Sequence, residues 1–93
     1  MILSFADAET EKLFNDERSR RLPPNIHRRA RRKLLMLNQA IDVNDLRVPP
    51  GNRLEQLRGD RAGQHSIRIN DQWRICFRWH EANAHDVEIT DYH

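Results

Sequence analysis

The sequence predicts an α+β domain in the order β-α-α-β-β-β-β. It should be a twisted, mainly antiparallel sheet with two N-terminal helices packed on one face. Three observations predict it. Gln64-His65-Ser66-Ile67-Arg68-Ile69 and Trp73-Arg74-Ile75-Cys76-Phe77-Arg78-Trp79 both alternate with period two around Asn70-Asp71-Gln72, the pattern of a hairpin with two different faces. Ile26, Ala30, Leu34, Leu37 and Ile41 recur at spacings of four, four, three and four, one stripe of a helix. Val87 and Ile89 alternate after the polar turn Glu81 to Ala84, which gives a last strand over Asp86 to Thr90.

In chain order, Met1 to Phe5 reads as a short first strand. Asp7 suits a helix cap, and Glu9 and Glu11 suit the first turns of a helix running to about Glu17, with Leu13 and Phe14 toward the core. Arg18 to Pro24 is a basic connection. Proline is favoured in a first helical turn, so the second helix should start near Pro24 and run to about Ile41. Its polar side then carries Arg28, Arg29 and Arg32. Asp42 to Leu46 suits one further helical turn, stopped by Pro49-Pro50-Gly51, and Arg53 to Leu57 a short strand. Gly59 and Gly63 permit unusual backbone angles in the turn Arg58 to Gly63. In the hairpin, Ile67, Ile69, Trp73, Ile75, Phe77 and Trp79 should face the core, and Ser66, Arg68, Arg74, Cys76 and Arg78 the other side.

Ninety-three residues suit a single domain over residues 1–93. The lone Cys76 excludes an internal disulfide and a cysteine metal cluster, and the five histidines show no ligand spacing, so no metal and no cofactor is expected. No apolar run has membrane length and the start is not a signal peptide, so the expectation is a soluble cytoplasmic protein. The net charge is only +2, but residues 18 to 37 carry eight basic side chains and no acid. Residues 1 to 17 carry five acids and one lysine. Such asymmetry points to a polyanion partner. Five cations in the six residues Arg28 to Lys33 repel one another without one. The plainer reading of this run is a solvated helix face. An aromatic wedge for a membrane surface is lacking.

Arg68, Arg74 and Arg78 fall on adjacent antiparallel strands, and arginine's planar fork suits phosphate. The last strand should bring Asp91, Tyr92 and His93 near that surface. A carboxylate, a phenol, an imidazole and guanidiniums beside a phosphate can cleave RNA through attack of the ribose 2′-hydroxyl on the adjacent phosphorus. By residue type alone this signal is weak. Asp91 also suits a strand-end cap and Tyr92 an edge packing residue. Cys76 reads as a small buried residue, His65 as structural, and His27, His80 and His85 as surface residues.

Leu57-Arg58-Gly59-Asp60-Arg61-Ala62-Gly63, Ser66-Ile67-Arg68, Trp73-Arg74-Ile75-Cys76-Phe77 and Asp91-Tyr92-His93 together resemble the HigB branch of the RelE/ParE toxin superfamily. The resemblance spans essentially the whole chain. It implies a RelE-like fold and a ribosome-dependent, metal-independent mRNA endonuclease that halts translation. It also implies a HigA-type helix-turn-helix antitoxin, through which alone operator DNA would be bound. By the same resemblance Arg74 holds the phosphate, Asp91 and His93 move protons, and Tyr92 orients or stacks. Glu55 stands where some members carry a catalytic histidine. Arg53, Arg58, Arg61, Arg68 and Arg78, with Arg28, Arg29 and Arg32, are the expected RNA and phosphate contacts. His93 carries the terminal carboxylate beside its ring, which suits it to donate a proton and leaves Asp91 as base, helped by Glu55. Two other readings share the residues: a ParE-like toxin that inhibits DNA gyrase without cutting RNA, and a basic domain that coats RNA. The Asp91-Tyr92-His93 end and the hairpin arginines favour the nuclease.

Overall fold

The computed structural model describes residues 1–91, and the expectations for Tyr92 and His93 lie outside the described residues. Two helices, α1 (Ala8–Phe14) and α2 (Pro24–Gln39), precede four strands: β1 (Glu55–Gln56), β2 (Gln64–Arg68), β3 (Trp73–His80) and β4 (Asn83–Asp91). The strands form one antiparallel sheet in the order β1-β2-β3-β4. This is the α+β arrangement read from the sequence.

The first segment departs from expectation. Met1 to Phe5 is not a regular strand; it runs parallel to β4 and touches it at two isolated bridges, Ile2 to Ala84 and Phe5 to Val87. Its backbone is shared with α2, because Asn38 Oδ1 takes the Ile2 amide at 2.9 Å.

Asp7 caps α1 through Oδ1, which accepts from the Thr10 amide at 2.7 Å. The helix stops at Phe14, three residues before the expected Glu17. Asp16 turns left-handed (φ 64°), and the Asp16 and Glu17 amides return to the Leu13 and Lys12 carbonyls at 3.1 and 2.7 Å. That double return closes the helix end, with aspartate where glycine is usual. α2 begins at Pro24 as expected and ends at Gln39. Ile41, assigned to its apolar stripe, is instead 77% exposed. The cause is a competing cap: Asp45 Oδ2 takes the amides of Ile41 and Asp42 at 3.0 and 3.1 Å and pulls the chain into a short 3-10 turn, Val43–Arg47. The expected strand over Arg53 to Leu57 shrinks to two residues, because Arg53 sits in the left-handed region (φ 46°).

Ile26, Ala30, Leu34 and Leu37 of α2 meet Leu13 of α1 and Ile67, Ile75, Phe77, Val87 and Ile89 of the sheet in one buried cluster. Leu34 and Phe77 are fully buried, so truncating either to alanine should cost about 2–5 kcal/mol. The Thr10 hydroxyl accepts from the Ile89 amide at 2.9 Å, which ties α1 to β4. Glu81 and Ala82, both with positive φ, make the two-residue turn from β3 to β4. Asp86 (φ 52°) is the extra residue of a bulge opposite Phe77.

Candidate functional site: an arginine and carboxylate face on the sheet

The sheet register builds the site. Glu55 pairs with Ser66, Ser66 with Cys76 and Cys76 with Glu88, so these four side chains form one row across the face away from the helices. The next row holds Arg68, Arg74 and Thr90. Arg78, paired with Gln64, lies on the other side of the Glu55-to-Glu88 row. Ser66 and Cys76 are fully buried and form the floor.

Arg74 is the most fixed of the arginines, its side chain 12% exposed. Its Nε donates to Ser66 Oγ at 2.7 Å and its Nη2 to the Arg53 carbonyl at 2.7 Å. Glu55 Oε2 lies 3.9 Å from Nη2. Nη1 carries no hydrogen bond among the described residues, so one edge of the fork is left for an anion. Arg61 reaches across from the loop before β2: its Nη1 donates to Glu88 Oε1 at 2.8 Å and to Gln64 Oε1 at 3.1 Å. Arg78 Nε stands 3.7 Å from Asp86 Oδ2, and Arg68 is paired with Asp71. Gly63 (φ 90°) lets the chain pass close over Arg78, because a Cβ there would lie 3.0 Å from Arg78 Nη1. The hairpin arginines Arg68 and Arg78 and the loop Arg61 are thus each paired with a carboxylate, Asp71, Asp86 and Glu88, that the sequence reading did not assign to them. Two of these carboxylates come from β4, a segment whose pairing the hairpin alone does not reveal.

Burial raises the pKa of the Cys76 thiol, against the pull of the Arg61 cation beside it, and Glu88 adds to the rise. The thiol stays protonated at neutral pH and is no nucleophile. His65 stacks on Phe77 at 6.0 Å, and burial lowers its pKa, with Arg47 adding to the effect. Both residues are structural, as the sequence suggested.

The other expected residues are placed as follows. Arg53 and Arg58 are exposed at the rim. Asp91 pairs with Trp73, one residue beyond the Thr90–Arg74 pair, so alternation sends it to the opposite side of the strand from Arg74. It accepts from Gln72 Nε2 at 2.9 Å. Arg28, Arg29 and Arg32 are exposed on α2, and Arg29 Nη1 reaches the Ile69 carbonyl at 3.4 Å. Two further members of the α2 run have internal partners: Arg31 lies 3.7 Å from Asp16, and Lys33 donates to Asn52 Oδ1. Burial, then the cations of Arg29, Arg32 and Arg68, lower the Lys33 pKa. A polar cleft of about 360 Å³ opens between Asn25, Arg28, Arg29 and Arg32 of α2 and Asn70 of the hairpin turn.

Sequence reasoning missed Glu88, Ser66 as an arginine anchor, and Asn52. Glu88 had a signal: it holds the polar period-two position between Val87 and Ile89. Asn52, fully buried in a turn, had none. Among the described residues no group of three or more His, Cys, Asp or Glu side chains could hold a metal ion, and no helix is long and apolar enough to cross a membrane.

Residues 3–93 match a family model described as RelE-like toxin of type II toxin-antitoxin system HigB. The chain is similar to Toxin HigB-1 of Vibrio cholerae, 44% identical over 80 residues that cover 85% of this chain and 84% of the relative. It is 32% identical to an uncharacterized protein of Haemophilus influenzae over 79 residues, 85% of this chain and 77% of that one. It is also 29% identical to Endoribonuclease HigB of Proteus vulgaris over 93 residues, the full length of both.

Proposed function

The chain belongs to the HigB-like family of type II toxins, which gives it an antitoxin partner, and from that premise we propose that it is a ribosome-dependent mRNA endonuclease. The observation that carries this reading is the Arg74 guanidinium, held by Ser66 and the Arg53 carbonyl with Nη1 turned to no partner, beside the carboxylate of Glu55. The similarity to a relative named an endoribonuclease supports it.

The reaction needs no group from outside the chain and the RNA. A carboxylate takes the proton of a ribose 2′-hydroxyl, and the oxygen attacks the adjacent phosphorus. The bond to the 5′-oxygen breaks, and an acid protonates that leaving oxygen. The products are a 2′,3′-cyclic phosphate and a 5′-hydroxyl. Arg74 neutralises the charge that grows on the phosphoryl oxygens, the kind of contact typically worth on the order of a hundredfold or more in rate. Glu55 is the base in this scheme, because it is the carboxylate that approaches Arg74. Tyr92 and His93 act from the chain end, His93 as the acid and Tyr92 against the base or ribose, while Asp91, on the side of β4 away from Arg74, accepts from Gln72 and holds the strand end. Arg53, Arg58, Arg61, Arg68 and Arg78 hold the RNA backbone, and Arg28, Arg29 and Arg32 hold ribosomal RNA. The antitoxin is of the HigA helix-turn-helix type and carries any operator binding. The place of action is the cytoplasm, where ribosomes are.

Primer extension on ribosome-bound mRNA tests the reading. Breaks within codons that vanish on deletion of His93, with antitoxin binding retained, are expected. Intact mRNA together with trapped gyrase–DNA breaks would replace the nuclease with a gyrase inhibitor.

A further inference from the structure

One cavity lies away from the sheet face. It is a groove of about 510 Å³ between the end of α1 and the outer side of α2. Leu13 and Leu35 supply apolar lining, and Arg18, Arg28, Arg31 and Arg32 line it with guanidiniums. Asp16 and Glu17, from the turn that ends α1, complete the rim.

We propose that this groove is the docking site for a segment of the antitoxin that presents an apolar side chain flanked by carboxylates. Charge decides the partner's chemistry. Four guanidiniums against two carboxylates leave the groove net positive, so it attracts an acidic surface. The arginines are also incompletely satisfied within the chain. Arg31 Nε is shielded from solvent and makes no hydrogen bond, its nearest carboxylate standing 3.7 Å away. Arg18, Arg28 and Arg32 are exposed.

Two features favour a protein over RNA as the occupant. The leucine lining offers a phosphodiester chain nothing, but rewards an inserted hydrophobic side chain. The Asp16 and Glu17 carboxylates at the rim repel a phosphate backbone. The neighbouring polar cleft is the contrary case: Asn25, Asn70 and three arginines line it and no carboxylate does.

Arg28 and Arg32 line both clefts, so they form the ridge between them. An acidic segment seated in the groove therefore takes these two arginines from any phosphate in the polar cleft. The antitoxin would neutralise the toxin at a distance from Arg74, by withholding the ridge from RNA.

The test is titration calorimetry of the purified toxin with its antitoxin, and ribosome co-sedimentation of the same samples without antitoxin. Antitoxin binding needs no RNA, so its result stands apart from whether the chain cuts mRNA. The double variant Arg31→Gln/Leu35→Ala should bind antitoxin at least roughly tenfold more weakly, with ribosome binding unchanged. Leu35 is partly buried, so Arg18→Gln, on an exposed loop, is the second variant and should weaken the antitoxin severalfold without touching the fold. Wild-type antitoxin affinity in folded variants overturns the proposal. So does loss of ribosome binding, alone or together with antitoxin binding, in variants that melt as wild type does, because the groove would then serve RNA.

Discussion

The Nη2 of Arg74 donates to the backbone carbonyl of Arg53 at 2.7 Å, and Arg53 itself sits in the left-handed region at φ 46°. The position of the site's central cation therefore depends on a strained loop residue. That loop is held from below by Asn52, fully buried, whose Nδ2 donates to the Leu46 and Val48 carbonyls at 3.1 and 3.4 Å and whose Oδ1 accepts from Lys33. A chain of hydrogen bonds thus runs from α2 through the loop to the arginine.

Asn52→Ala should break that chain. It leaves buried carbonyls without their donor, a loss of about 1–3 kcal/mol, and frees Arg53 from its left-handed conformation. Urea unfolding should show the lowered midpoint, and mRNA cleavage should fall by more than the folded fraction does. Cleavage that tracks the folded fraction alone would separate the loop from the chemistry.

Reversing Arg28, Arg29 and Arg32 to glutamate should weaken ribosome co-sedimentation and flatten its salt dependence, because phosphate contacts release counterions. Circular dichroism should be unchanged, since all three side chains are exposed. Equal sedimentation of wild type and variant at moderate salt would make this face merely solvated.

His65 gives a pH dependence. Burial beside Phe77 holds its pKa below the usual histidine value, so the unfolded chain takes up the proton at higher pH than the folded one. The burden on stability is absent above about pH 6.5 and grows as pH falls from there through the folded value. His65→Phe should remove it. The melting temperature of the variant should fall less than that of wild type between neutral and mildly acidic buffer, and parallel curves would assign the acid sensitivity elsewhere.

Much of this architecture was legible in the sequence because it rests on periodicity. The hairpin from Gln64 and the α2 stripe through Ile26, Ala30, Leu34 and Leu37 appear where their patterns placed them. Arg74 was legible as a polar-face residue of β3, and the family from the motifs around it. The failures share a physical cause: local hydrogen bonds that close a helix end, by the Asp45 carboxylate in one case and by returning backbone amides in the other. Asp45 ends α2 ahead of Ile41, and the left-handed Asp16 ends α1 ahead of Glu17. Neither alters a hydrophobic period. The Asp86 bulge and the pairing of Glu88 with Cys76 were beyond reach for another reason, because cross-strand partners depend on register and not on the alternation within one strand.

The central claim is that Arg74 stabilises the charge developed as mRNA is cut. Its most direct test is the single-turnover rate of cleavage of ribosome-bound mRNA, read by primer extension, for wild type and Arg74→Ala at equal ribosome occupancy. The account predicts a rate lower by about a hundredfold or more, with antitoxin binding and melting temperature close to wild type. Cleavage by a folded Arg74→Ala at the wild-type rate would contradict it.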